Sequence, residues 1–285
     1  MNEDISIYIP VFNGETTIKK CLDSIFAQTF KPKKILVIND NSTDNTLKIL
    51  ETYEDKIEII NNDTNKGVSY IRNLAVNKLN SRYIASIDAD VVLSNKWLEK
   101  IFLSLKKNNA TLVGGKMYEK HVENPCNLWR SIRLKQNWGE NDISNPSFIF
   151  GCNNILDISN LNTKELYINH NEYYKLNGDD VELSKFLKIN DHKLYYDSSA
   201  ICYHLQNDNY KTLASRYWRY VFYGDGLKKR NLLKTIKNIF RQIKKTFIWL
   251  VEDMFKFRFS LIIVDILILK YLIQIDIEQL KKNET

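Results

Sequence analysis

An α/β fold around a mostly parallel central sheet, with a helical tail, is what this 285-residue sequence predicts. Three observations predict it. Strand-like and helix-like apolar patterns alternate up to residue 107, the signature of βαβ units covered on both faces. Polar clusters fall at the carboxyl end of each strand segment, where open α/β sheets bind ligands. Beyond residue 226 the chain turns basic and helix-periodic.

Ile5 to Pro10 reads as a buried strand. Ile18, Cys21, Leu22, Ile25 and Phe26 then recur at helical spacing, before Lys31 and Pro32 break the pattern. Lys34 to Ile38 predicts a second strand, Thr43 to Tyr53 a second helix entered through Ser42, and Lys56 to Ile60 a third strand. Val68 to Leu79 predicts a helix, Arg82 to Ile87 a strand, and Asn95 to Lys107 a helix that turns Trp97, Leu98, Ile101, Phe102 and Leu105 inward. Thr111 to Lys116 is a further strand, after which the pattern loosens.

Composition narrows the function classes. An apolar fraction of 44% with only nine Gly and four Pro describes a folded chain rather than a disordered one. The four cysteines lack CxxC spacing, and an apolar strand begins directly after Asp4, so reduced thiols in a cytosol are expected. The net charge of +7 belongs to the tail: residues 228–245 hold eight basic side chains and no acid. The body is therefore not expected to bind nucleic acid, and an anionic surface is expected near the tail.

The strand-end loops carry the candidate chemistry. They are Pro10 to Asn13, Asn39 to Ser42, Asn65 to Gly67, and Asp88-Ala89-Asp90. Two carboxylates at i and i+2 after a strand can be aimed at one hard cation such as Mg²⁺ or Mn²⁺, which prefers oxygen ligands and bridges to phosphates. Taken alone, the same pair could simply cap the following helix.

The ordered set Ile7 to Asn13, Leu22 to Gln28, Val37 to Asp44, Asn65 to Gly67, Arg72-Asn73 and Asp88 to Asp90 resembles family 2 glycosyltransferases, over roughly residues 5–225. The resemblance implies the GT-A fold, a Rossmann-like nucleotide-binding αβα sandwich, and inverting transfer of a sugar from a nucleotide diphosphate to an acceptor hydroxyl. It implies donor-binding roles for Pro10, Phe12, Asn13, Glu15, Asp40, Arg72 and Asp88, with Asp40 accepting from the nucleotide base. It implies metal ligation by Asp90 and by His204. Gly178-Asp179-Asp180-Val181-Glu182-Leu183 is similar to the family's acidic motif, which makes Asp180 the catalytic base. Asn39 stands where the family commonly has Asp. Gly151 to Asn154 resembles an acceptor-side segment, and Trp129, Trp138 and Phe148 are candidates for stacking on a sugar ring.

UDP is the expected nucleotide, with GDP and dTDP open, and a glycan or lipid-linked molecule of surface-glycan assembly is the expected acceptor. The domains expected are a catalytic domain over 1–226 and a tail over 227–285. The tail combines an amphipathic basic stretch from Leu227 to Lys245 with an apolar run from Phe259 to Ile275 that Asp265 and Lys270 interrupt. Two charges argue against a span and for an interfacial helix on the inner face of the cell membrane, or for a hairpin that packs on protein or on a second subunit. The competing readings are a sugar-nucleotide pyrophosphorylase, which needs a Gly-rich loop after the first strand, and a non-catalytic scaffold.

Overall fold

The computed structural model describes residues 4–167, 178–221 and 232–282. Its elements run β1 (Ile5–Val11), α1 (Ile18–Phe26), β2 (Lys34–Asn39), α2 (Thr46–Glu51), β3 (Glu58–Asn61), α3 (Val68–Lys78), β4 (Tyr83–Ile87), β5 (Val91–Leu93) and α4 (Trp97–Asn108). There follow β6 (Leu112–Glu119), α5 (Pro125–Arg133), β7 (Ile143–Ser144), β8 (Asn153–Asp157), α6 (Asp179–Ile189), β9 (Leu194–His204), α7 (Tyr210–Val221), α8 (Leu232–Phe255) and α9 (Phe259–Lys282). Packing divides them into two compact units. One comprises residues 1–118 and 136–205, the other 119–135 and 206–285. The expected boundary at 226 lies outside the described residues, and α5 and α7 pack with the tail helices rather than with the sheet.

In the first unit, one sheet runs in the order β3-β2-β1-β4-β8-β6-β9-β5, with β7 on β9. The first four strands pair parallel, as their βα alternation requires. Parallel character stops there: β8 pairs antiparallel with both β4 and β6, and β5 antiparallel with β9. Alternate residues of β1 enter the two faces of the core. Ile5, Ile7 and Ile9 pack with the apolar stripes of α1 and α4, and Tyr8 with α3 and α6. Gln28 locks this layer. Its Nε2 donates to the Ser94 carbonyl and its Oε1 accepts from the Leu98 amide, so the segment between β5 and α4 is held against α1.

The second unit is helical. Asn124 caps α5 through the Cys126 amide, with Pro125 in the first turn where its missing N–H costs nothing. Trp129 is fully buried among Tyr217, Trp249, Leu213 and the inner face of α9, so it is a core residue and not a sugar platform. The two aspartates of α9 have indole partners: Asp265 accepts from Trp129 Nε1 and Asp276 from Trp218 Nε1. No described helix is long and apolar enough to cross a membrane.

Candidate active site

The carboxyl ends of β1, β2 and β4 present the strand-end loops along one edge. Two of them are laced together. Asn13, at φ 52°, donates its backbone amide to Ser42 Oγ and accepts from the Thr43 amide through Oδ1. Glu15 Oε2 accepts from both the backbone amide and Nδ2 of Asn45. Asn13 and Glu15 therefore shape the 42–46 loop with the polar atoms expected to meet a donor. Phe12, half exposed, presents its ring outward, and Pro10 pairs with Ile38 one position before the parallel ladder ends at Val11 and Asn39.

Asp40 is buried at the end of β2. Its Oδ1 accepts from Asn62 Nδ2 at 2.7 Å and the Lys66 amide at 2.9 Å, while Oδ2 accepts from the Gly67 amide at 2.8 Å. Gly67 sits at φ 84°, a left-handed conformation that suits glycine, and starts α3. Asp40 thus sets the entry of α3, on whose second turn Arg72 lies.

Arg72 is the centre of the charge cluster. Nη1 donates to Asp179 Oδ2 at 2.5 Å and Nη2 to Asp88 Oδ1 at 3.3 Å, while the guanidinium lies 5.7 Å from the Tyr167 ring centroid. Arg72 and Asp179 are each 5% exposed at the side chain, so the pair is buried. Its position depends on Gly151, where a Cβ would stand 2.6 Å from Nη2 and 2.7 Å from Cζ. Arg72, expected beside the donor, pairs here with two carboxylates of its own chain. Asp179 was passed over in favour of Asp180. The adjacent acids were the available signal, but only the tertiary pairing distinguishes their roles.

Asp180 opens α6 beside it. Its Oδ2 accepts from the Gly151 amide at 3.1 Å and Oδ1 from the Val181 amide at 2.8 Å. Burial, with the neighbouring Asp179 charge, pushes its carboxyl up to about 6 against the opposing pull of Arg72 and the two amides. Burial likewise raises Asp88, against Arg72 and with the help of Asp90 and Asp179. A carboxylate that titrates near neutrality is suited to accept a proton.

Asp90 closes the turn between β4 and β5, and its Oδ2 lies 3.1 Å from His204 Nε2 at the end of β9. The Asp90 carbonyl accepts from the Leu205 amide at 2.7 Å, which ties the same two segments. Among the described residues no cluster of three or more His, Cys, Asp or Glu is arranged around a metal. The Asp90–His204 pair nonetheless fits two neighbouring ligands of one octahedral cation, whose bonds of about 2.1 Å set an edge of about 3.0 Å. Their oxygen and nitrogen donors suit Mg²⁺ or Mn²⁺, with substrate oxygens completing the shell.

The fold is that of the GT-A glycosyltransferases. TarS of S. aureus shares the fold at a TM-score of 0.57 and 17% identity, over 77% of this chain and 65% of that one. The mannosyltransferase PcManGT from Pyrobaculum calidifontis, in complex with GDP-Man and Mn²⁺, does so at 0.57 and 13%, over 77% and 61%. The chain belongs to glycosyl transferase family 2, whose family profile matches residues 6–157. An uncharacterized glycosyltransferase of Haemophilus influenzae is 35% identical over 127 residues, 44% of this chain and 39% of that protein. The Escherichia coli UDP-Glc:alpha-D-GlcNAc-diphosphoundecaprenol beta-1,3-glucosyltransferase WfgD is 35% identical over 112 residues, 39% of this chain and 44% of that one. The matched stretch thus spans less than half of these relatives.

Proposed function

We propose that the chain transfers a sugar from a nucleotide diphosphate donor to an acceptor hydroxyl, with inversion at the anomeric carbon and Asp180 as the base. The observation that carries this is the Asp180 carboxylate. It is held by two backbone amides, raised to about 6, and placed in the cluster that contains Arg72, Asp88 and Asp179. In one displacement Asp180 takes the acceptor's proton as its oxygen forms the new glycosidic bond and the bond to the diphosphate breaks. Arg72, fixed between Asp179 and Asp88, holds a positive charge beside the base. Asp90 and His204 would hold a divalent cation, which supplies charge stabilisation to the departing diphosphate.

For the donor, Phe12 offers a face to a base, and Asp40 Oδ2 accepts one bond where Oδ1 accepts two, leaving acceptor capacity for an imide N–H such as that of uracil. UDP-sugars are therefore the first donor class, and TarS in complex with UDP and with UDP-GlcNAc supports that choice. The substrate that WfgD's name gives, a sugar on diphosphoundecaprenol, supports a lipid-linked acceptor. The test is a thermal-shift screen of UDP-, GDP- and dTDP-sugars with and without Mn²⁺, followed by a donor-hydrolysis and transfer assay on the responding nucleotide. A metal-dependent shift, and turnover lost in Asp180→Asn while donor binding persists, are expected. Turnover that survives Asp180→Asn unchanged overturns the assignment of the base.

A further inference from the structure

Helix α8 is built inside out. Its buried positions are polar: Thr235, Gln242, Thr246 and Asp253 are each no more than 4% exposed. Its exposed positions are large and apolar. Leu233, Phe240, Phe247 and Met254 recur every seventh residue, with Ile236 and Ile243 between them, and all six lie on the outside. Leu233 is 77% exposed and Phe247 66%. A surface helix normally turns this stripe to the core. Here the core side of the helix is occupied by α9, and Asp253 is held on that side by Arg133 and Arg258. The pattern therefore does not reflect a helix rotated out of register. A contiguous exposed apolar face of this kind marks a contact surface.

The charges beside the stripe select the occupant. Lys234, Lys237, Arg241 and Lys244 lie exposed next to it, and the helix has no acid before Glu252. Glu252 in turn is taken up by Arg133, Lys256 and Arg258. A second copy packed on this face through the same heptad would bring lysine against lysine with no carboxylate to answer. An anionic bilayer accepts both features, since the aromatic and aliphatic side chains enter the acyl boundary while the lysines meet the headgroups.

We infer that the outer face of α8 is a docking surface for an anionic lipid bilayer, entered by Phe240 and Phe247 and held electrostatically by Lys237 and Lys244. This rests on the second unit alone and is read without sugar transfer, so it stands or fails independently of the catalytic proposal. The experiment is co-flotation of the full chain with vesicles of phosphatidylcholine alone and of an equal mixture with phosphatidylglycerol, alongside its sedimentation without lipid. Strong binding to the mixed vesicles only, reduced by raising the salt, is expected. Phe240→Ser and Phe247→Ser, at exposed positions that leave the fold intact by circular dichroism, are each expected to weaken it roughly tenfold. Lys237→Gln and Lys244→Gln should each weaken it about fivefold. Equal binding of the parent and the Phe240→Ser/Phe247→Ser double variant overturns the inference. So does a parent that ignores both vesicles and sediments as a dimer which the double variant dissociates.

Discussion

Replacing Arg72 by leucine removes the cation paired with Asp179 in a site where both side chains are 5% exposed. Breaking a buried ion pair by deleting one partner leaves an uncompensated charge and costs about 3–5 kcal/mol. The Asp88 contact is longer, at 3.3 Å, and Asp88 is 35% exposed, so its loss adds less than about 1 kcal/mol. For a chain of this size the sum lowers the melting temperature by on the order of 10 °C. The assay is thermal melting by circular dichroism of the parent, Arg72→Leu, Asp179→Leu and the double variant. The double variant should recover most of the loss, because two apolar side chains of similar volume leave no charge stranded. Catalysis supplies a second readout. Arg72 opposes the upward shift of Asp180, so in Arg72→Leu the acid limb of kcat/KM should move above its parent position near 6. If Arg72→Leu melts with the parent and the double variant is the worst of the four, the pair does not bear the energy assigned to it. The field argued for Asp180 then falls as well.

Four further outcomes are expected. Asp180→Asn should reduce turnover by about 10²–10⁴-fold. Because the fold raises this carboxyl to about 6, its ionisation costs stability as pH rises through that value, so the same variant should be more stable than the parent above pH 7 by roughly 1–3 kcal/mol and lose that advantage below about pH 4; urea melts at the two pH values check the sign. Asp90→Ala and His204→Ala should each raise the Mn²⁺ concentration for half-maximal activation by at least about tenfold, while metal-free melting changes little, and a metal titration of activity reads this out. Gly151→Ala should push its new methyl into the Arg72 guanidinium and destabilise the chain by about 1–3 kcal/mol, measured by the same melts.

The parallel half of the sheet and its loops were legible in the sequence because they are made by local rules. Ile18 to Phe26 shows its helix through spacing alone, and the observed α1 has the same bounds. The ends of α2 were harder: the helix spans Thr46–Glu51 instead of 43–53, since Asp44 and Thr46 bond to each other and to the Glu15 and Gly14 amides rather than extending the first turn. The likeness to family 2 glycosyltransferases was equally readable, because its residues come in an ordered series along the chain.

Only the tertiary structure decided which partner each acid meets. Asp179 and Asp180 are neighbours in the chain, yet one faces Arg72 from 107 positions away and the other faces the Gly151 amide. His204 reaches Asp90 across 114 positions because β9 returns antiparallel to β5, a pairing that no local pattern encodes. The tail's composition announced an amphipathic basic helix, but not which face it buries. That was set by packing against α9 and by the ion pairs of Asp253 with Arg133 of α5 and with Arg258, and it left the apolar stripe of α8 outward. Periodicity is a property of short stretches of chain, whereas charge pairing and burial depend on what the rest of the chain brings alongside.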